Sequence, residues 1–211
     1  MIVPAILESN VKSFQEKLKL AISLKGVKTI QIDFADGEFV ATKTISVDEV
    51  KLPKTKHEFE AHLMTVAPTN LEAYKKVGFD KIILHYEAYA SEHDLDEALS
   101  LINKLKKKQS LAISPRTPVS VVRYFSDTVH SFTLLGVLPG KQGQKMQSGT
   151  LDRLRELHDT VAGAEIEMDG GVNEKNIAEL IDAGATLCVT GSALFDGDVK
   201  ENYQNLLQAL K

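Results

Sequence analysis

Eight short β-rich runs alternate with helical stretches along the 211 residues, and this alternation constrains the fold more than any other feature. Strands that alternate with helices form a parallel sheet, and eight is the number that closes a barrel. We therefore predict a single (β/α)8 TIM barrel, an α/β fold, over residues 1–211. The predicted strands are 2–7, 28–33, 57–62, 81–85, 110–114, 131–137, 164–169 and 186–190.

Helical patterns fill most of the intervals between these strands. The segment 44–52 is too short for more than a turn or two of helix. The rival architecture is an open, doubly wound sheet, but no GxGxxG fingerprint follows the first strand, so the closed barrel is favoured. The predicted helices are 10–24, 69–77, 91–107, 118–125, 149–162, 173–183 and 199–210.

Charge and composition argue against several classes of protein. The formal net charge is −4, and the KLKKK run at 104–108 most simply covers the solvent side of a helix, so we expect no nucleic-acid partner. No run approaches the roughly 18 apolar residues that span a bilayer, and the first residues lack a signal-peptide pattern, so we expect no membrane partner. A single cysteine, Cys188, fits a reducing compartment, and we predict a cytoplasmic location.

Polar, ionisable and glycine residues follow the predicted strands at one end. The active site of a β/α barrel lies at the C-terminal ends of its strands, so these residues are expected to meet at one rim. In strand order they are Glu8 and Ser9; Gln31, Asp33 and Asp36; His62 and Met64; His85 and Glu87; Ser114; GVLPGKQGQ (136–144); Asp169, Gly170 and Gly171; and Gly191 and Ser192.

Two chemistries separate within this rim. Glycines after the last three strands can bring backbone N–H groups close to a phosphate, although any one of them could simply form a turn. Asp33, His62 and Asp169 could ligate a divalent metal or exchange protons. The alternative is that Asp33 caps a loop and His62 is a hydrogen-bonded, half-buried histidine.

Eight sequence blocks are spread across nearly the whole chain. They are PAIL (4–7), IQIDFADGEFV (30–40), AHLMTVAP (61–68), LHYEA (84–88), SPRTP (114–118), GVLPGKQGQ (136–144), EMDGGVN (167–173) and VTGSALF (189–195). In their order and spacing these blocks resemble ribulose-phosphate 3-epimerases. DGGV and GSA alone are common in phosphate-binding barrels, whereas HLM…P together with DxxDG is more specific to this family.

The resemblance implies epimerisation of D-ribulose 5-phosphate to D-xylulose 5-phosphate. Asp33 and Asp169 match the two aspartates that remove and return the C3 proton, and with His62 they match ligands of a divalent metal, such as zinc, manganese or iron. The metal stabilises the oxygens of the ene-diolate. The resemblance also implies a phosphorylated ketose substrate and a homo-oligomer. The implied phosphate ligands are Gly143, Gly170, Gly171, Gly191 and Ser192.

The chain departs from the family pattern inside the site. Gln31 stands where the family has a second metal-binding histidine, and we predict that it is a metal ligand, although its oxygen suits zinc less well than imidazole does. Glu8 replaces a serine and could supply a replacement ligand or form an outward salt bridge. We predict that Glu8 and the retained Met64 contact the substrate. Lys141 and Gln142 replace an aromatic residue and a glycine.

Two other functions remain open at this point. A phosphosugar decarboxylase or aldolase such as hexulose-phosphate synthase uses a DxK pair at a strand end, but the residue two after Asp33 is Ala35. A non-catalytic or metal-independent relative that binds phosphosugars is favoured by Gln31 and opposed by the presence of both Asp33 and Asp169.

Overall fold

The structure is a computed structural model that describes residues 1–68 and 70–210. Its eight strands are parallel and form a closed barrel in sequence order, in which β1 pairs with β8 through Val3 and Val189. The predicted (β/α)8 TIM barrel is therefore confirmed. The strands are β1 (Ile2–Ile6), β2 (Thr29–Ala35), β3 (Glu58–Met64), β4 (Lys81–His85), β5 (Lys108–Ile113), β6 (Ser131–Leu135), β7 (Glu165–Asp169) and β8 (Leu187–Thr190).

Helices follow the strands on the outside of the barrel. Three short 3-10 helices cover Val47–Glu49, Tyr86–Ala88 and Val119–Tyr124. Thr69, which the sequence placed at the start of a helix, and Lys211, the last residue of the predicted domain, lie outside the described residues. The α-helices are α1 (Val11–Ser23), α2 (Leu71–Val77), α3 (Glu92–Lys104), α4 (Thr150–Thr160), α5 (Ile177–Asp182), α6 (Ser192–Phe195) and α7 (Val199–Gln208).

Several predicted boundaries were wrong for local reasons. The helix predicted at 118–125 is the 3-10 helix Val119–Tyr124. The helix predicted to end at 107 ends at Lys104, because Lys106 adopts a φ of +59°. The helix predicted from 173 begins at Ile177, because Asn173 and Asn176 donate their side-chain amides to the carbonyl of Gly171 and hold the preceding residues as a turn.

Alternation along each strand separates two buried layers. Ile30, Ile32 and Phe34 of β2 belong to the large apolar core between barrel and helices. The intervening residues, Gln31 and Asp33, point into the barrel, where side chains from neighbouring strands stack in layers. Within residues 1–68 and 70–210, no helix has the length and apolar character needed to cross a membrane.

The end of the barrel interior where the strands begin holds a buried ionic network. Lys81 Nζ lies 2.8 Å from Glu60 Oε2 and 3.1 Å from both Glu165 Oε1 and Glu167 Oε2. Burial, followed by the charge of Glu167, raises the pKa of Glu60 well above its usual value. Glu60 therefore keeps its proton to higher pH than an exposed glutamate does, which lessens the negative charge around Lys81.

Candidate active site

The opposite end of the barrel interior brings together Gln31, Asp33, His62, His85 and Asp169. Asp33 and His62 are register partners on β2 and β3, and Asp169 ends β7. Their side chains share the same face of their strands because strand residues alternate between the two faces. Asp33 is 6% exposed and His62 is 2% exposed, so the polar groups interact with one another more than with bulk water.

The carboxamide of Gln31 lies at the centre of this group. Its nitrogen donates hydrogen bonds to Asp33 Oδ1 at 2.8 Å and to Asp169 Oδ2 at 3.0 Å, and it lies 3.2 Å from His62 Nδ1. Gln31 Oε1 is buried and has no hydrogen-bond partner among the described residues. A neutral donor thus separates two carboxylates that would otherwise repel each other directly.

The donor set fits a divalent cation. Asp33, His62 and Asp169 each offer one ligand atom, and these atoms lie within 4.8 Å of one another. His62 Nδ1 is 3.0 Å from Asp33 Oδ1 and 3.4 Å from Asp169 Oδ2. Metal–ligand bonds of about 2.0–2.2 Å place neighbouring ligands roughly 3 Å apart, so these separations are those of a coordination shell. Gln31 presents its nitrogen to these atoms, and its oxygen would become a fourth donor only if the amide turned over.

Burial and neighbouring charges perturb the acid–base groups. Burial, together with the charge of Asp33, raises the pKa of Asp169 to about 6, against the lowering effect of His62. Burial opposes protonation of His62, but its hydrogen bond to Asp33 and the charges of Asp33 and Asp169 outweigh this and raise its pKa. Asp169 therefore takes up a proton at a higher pH than an exposed aspartate does.

A second histidine and a glutamate extend this group behind His62. His62 Nε2 lies 2.8 Å from His85 Nε2, the two ring planes are inclined by only 15°, and His85 Nδ1 lies 3.3 Å from Glu87 Oε2. Glu87 Oε1 accepts the backbone N–H of Ser114 at 2.8 Å and the hydroxyl of Thr117. Although burial raises the pKa of Glu87, its hydrogen bonds to His85, Thr117 and Ser114 lower it to about 2.

Sequence reasoning placed His85 and Glu87 at the rim but gave them no role. The available signal was LHYEA, in which a single residue, Tyr86, separates a strand-end histidine from a carboxylate. The contact of His85 with His62 depends on the pairing of β3 with β4, which spacing alone does not reveal.

The glycines predicted to bind phosphate line the same cavity as Asp33, His62 and Asp169. Packing explains two of them. Gly170 and Gly171 adopt φ values of +96° and +74°, and a Cβ at Gly171 would lie 2.7 Å from the backbone nitrogen of Met146. The turn role weighed from the sequence therefore applies to both, whether or not they also bind phosphate. The predicted phosphate ligands that line the cavity, together called the glycine wall, are Gly143, Gly170, Gly171, Gly191 and Ser192.

Gln142 changes the shape of this wall. Its amide donates to the carbonyl of Ala5 at 3.3 Å and lies across Gly191, where a Cβ would approach the amide nitrogen to 2.5 Å. A side chain at Gly191 would have to displace the Gln142 amide. Gly191 immediately precedes α6, so its neighbourhood includes free N–H groups of the first turn.

The remaining predicted contacts fall in different places. Met64 lines the cavity. Glu8 forms an ion pair with Lys17 at 2.6 Å, which is the outward salt bridge considered from the sequence, and its contact with a substrate stays a prediction. Asp36 caps a loop, since its carboxylate accepts the N–H groups of Glu38, Phe39 and Val66.

Comparison with protein families gives a match over most of the chain. The model of the ribulose-phosphate 3 epimerase family matches residues 1–195. Curated relatives include the ribulose-phosphate 3-epimerases of Synechocystis sp., Bacillus subtilis and Escherichia coli. The Synechocystis enzyme is 33% identical over 93% of this chain and 87% of its own length. The Bacillus subtilis enzyme is 32% identical over 92% and 91%, and the Escherichia coli enzyme 32% identical over 100% and 94%.

Solved structures with the same fold are more distant in sequence. A 3-hexulose-6-phosphate synthase superposes with a TM-score of 0.75 at 15% identity, covering 100% of this chain and 99% of that one. A variant tryptophan synthase α-subunit from Pyrococcus furiosus superposes with a TM-score of 0.74 at 17% identity, covering 98% and 97%. These likenesses concern the barrel fold alone.

Proposed function

Because the chain belongs to the ribulose-phosphate 3-epimerase family, and so is an isomerase of carbohydrate metabolism, we propose that it interconverts D-ribulose 5-phosphate and D-xylulose 5-phosphate, or a closely related pair of ketose phosphates. This reaction belongs to the pentose phosphate pathway. The observation that carries the proposal is the position of Asp33 and Asp169, which line one cavity together with the glycine wall.

Proton transfer at C3 is assigned to the two aspartates. One carboxylate removes the C3 proton and leaves an ene-diolate; the other, initially protonated, delivers a proton to the opposite face of the same carbon. The elevated pKa of Asp169, about 6, supports its holding the proton at the start of one direction of the reaction. Asp33 then acts as the base, and the roles are exchanged in the reverse direction.

A divalent metal would be held by Asp33, His62 and Asp169, with Gln31 as the fourth ligand through Oε1. When bound, it supplies positive charge beside the ene-diolate oxygens. The Gln31 amide must turn over for this, because its nitrogen now faces the other three donors and an amide nitrogen does not ligate cations. An oxygen ligand there favours manganese or iron over zinc.

Substrate binding is assigned to the glycine wall and its neighbours. The N–H groups of Gly143, Gly170, Gly171, Gly191 and Ser192 would bind the phosphate, because backbone donors near a helix start favour anions. Met64 would cover the sugar, and Glu8 would contact it from the rim if its ion pair with Lys17 opens. A cytoplasmic location and a homo-oligomeric state stay predictions; the single thiol, Cys188, supports the first.

A metal-independent or non-catalytic phosphosugar-binding role is the second candidate. It is favoured by the nitrogen of Gln31, which lies among the metal donors and satisfies both carboxylates without a cation. The aldolase or decarboxylase role has no comparable support, since Ala35 stands where that chemistry needs a lysine.

The experiment is a coupled assay of D-xylulose 5-phosphate formation from D-ribulose 5-phosphate. Protein as purified, treated with a chelator, and reconstituted with zinc, manganese or iron would be compared. We expect activity that is lost on chelation and restored by manganese or iron. Activity unaffected by chelation would support metal-independent catalysis, and folded protein that is inactive under every condition would contradict the epimerase proposal.

A further inference from the structure

We propose that Glu87 and His85 are positioning residues that fix the tautomer of His62, so that His62 binds a cation only through Nδ1, which faces Asp33 and Asp169. The inference rests on the proposed function for its purpose, but its test requires neither substrate nor turnover. Neither His85 nor Glu87 touches the reacting atoms in this scheme.

The direction of the hydrogen bonds follows from the one group that can only accept. The ionised carboxylate of Glu87 has no proton to give, so His85 Nδ1, 3.3 Å away, must carry the N–H. A neutral imidazole with a proton on Nδ1 has a bare Nε2. His62 Nε2, 2.8 Å from that atom, must therefore be the donor. Because Nε2 of His62 carries the N–H, Nδ1 is the ring nitrogen of His62 that is left to bind a cation.

The far end of this chain of hydrogen bonds is anchored. Glu87 Oε1 is engaged by the N–H of Ser114 and the hydroxyl of Thr117, which leaves Oε2 for His85. His62 and His85 are 2% and 0% exposed, and the ring of Phe39 lies 5.0 Å from that of His85. Water therefore does not compete for the ring nitrogens, and the order of donors and acceptors is set by Glu87.

This arrangement performs the task that a single carboxylate performs behind many metal-binding histidines. A histidine that ligates a metal usually donates its other N–H to a carboxylate or carbonyl, which fixes its tautomer and ring orientation. Here His85 is inserted between the carboxylate of Glu87 and the ligand His62, so the same control acts through two rings.

Replacement of Glu87 by the isosteric glutamine should reverse the direction of these hydrogen bonds. In Glu87→Gln, the N–H of Ser114 can only donate, so the amide oxygen takes the Oε1 position and the NH2 group faces His85 Nδ1. His85 then accepts at Nδ1 and donates from Nε2, and His62 must accept at Nε2. The proton of neutral His62 moves to Nδ1, where it points at Asp33 and blocks a cation.

The test is nitrogen-15 NMR of the histidine rings in the full chain, treated with a chelator and free of substrate, with His85 assigned from the signals lost in His85→Gln. For the wild type we expect His85 with a protonated Nδ1 and a bare Nε2, and His62 with a protonated Nε2. In Glu87→Gln, Nε2 of His85 should be protonated and Nε2 of His62 should be bare. Its affinity for Mn²⁺, measured by calorimetry, should fall about 10- to 100-fold.

Thr117→Val is the matched control, because it removes a hydrogen bond to Glu87 but keeps the carboxylate. It should retain the wild-type tautomers and Mn²⁺ affinity. A wild-type His85 protonated at Nε2 overturns the inference without need of any variant, as does a folded Glu87→Gln protein with unchanged tautomers. Protein with the expected tautomers but no epimerase activity would refute the proposed function and leave this inference intact.

Discussion

The carboxamide of Gln31 is the smallest unit on which the chemistry of this site depends. Its nitrogen lies within 3.2 Å of two carboxylates and an imidazole, and its oxygen is buried without a partner among the described residues. An unpaired buried carbonyl is costly, whereas a carbonyl bound to a cation is not. Without a metal, the amide nitrogen of Gln31 is therefore hydrogen-bonded and its oxygen is not. A bound metal would give the oxygen a partner instead.

Replacement of Gln31 by histidine tests this competition. We expect Gln31→His to bind Mn²⁺ or Zn²⁺ at least about 10-fold more tightly, because imidazole is a good ligand for both and no amide N–H must first leave the carboxylates. Calorimetric titration of chelator-treated wild type and variant measures the difference. Equal affinities in two folded proteins would show that position 31 does not face the metal.

At the scale of single elements, the order of the strands predicted the place of the site. The predicted C-terminal ends of β2, β3 and β7 put Asp33, His62 and Asp169 at one rim, and the structure brings their side chains together there. The predicted end of the second strand at Asp33 was too early, because β2 continues to Ala35, which pairs with Met64. The Asp-Gly pair at 36–37 follows directly, so this turn signal marks the true end of the strand.

The parts of the site that sequence could not supply depend on contacts between distant strands. The orientation of the Gln31 amide is decided by Asp169, 138 residues away, and the role of His85 by a ring nitrogen on the neighbouring strand. Spacing identifies which side chains share a face, but not which atom of each is the donor.

The turn after β7 gives a prediction about stability. We expect Gly171→Ala to destabilise the protein by about 2–3 kcal/mol, since it combines a left-handed φ with a Cβ 2.7 Å from the Met146 nitrogen. Gly143→Ala is the control, because Gly143 has nearly the same φ, +75°, but a Cβ added there would meet no atom within 4 Å. It should cost about 1 kcal/mol in urea unfolding. Equal losses would mean that the clash at Gly171 relaxes freely.

The whole barrel divides its interior between two buried polar groups. The network of Lys81, Glu60, Glu165 and Glu167 lies where the strands begin, and the Asp33, His62 and Asp169 group lies where they end. In barrels of this kind the first end serves stability and the second serves catalysis. Changes in the Lys81 network are therefore expected to alter unfolding more than turnover.

The raised pKa of Glu60 predicts how stability depends on pH. The unfolded chain releases this proton near pH 4.5, whereas the folded protein holds it to higher pH, so rising pH favours unfolding through this group. Glu60→Gln has no proton to release at this position, and its stability relative to wild type should increase as the pH rises above about 5.

Urea unfolding of both proteins at pH 5, 6.5 and 8 measures this difference. Glu58→Gln, on the same strand but with an exposed side chain paired to Lys108, is the control and should show little dependence on pH. A constant difference between Glu60→Gln and wild type across this range would mean that Glu60 is ionised in the folded protein.

The central claim, proton transfer at C3 by Asp33 and Asp169, is tested most directly by isotope exchange. D-Ribulose 5-phosphate would be incubated in deuterium oxide with wild type, Asp33→Asn, Asp169→Asn and the exposed control Asp152→Asn, and formation of D-xylulose 5-phosphate with deuterium at C3 followed by NMR. We expect rapid formation with the wild type and the control, and a loss of at least about 100-fold with each active-site variant, with folding retained, because epimerisation needs removal on one face and delivery on the other. Formation of this labelled product at the wild-type rate by either folded active-site variant would contradict the assignment of C3 proton transfer to these two aspartates.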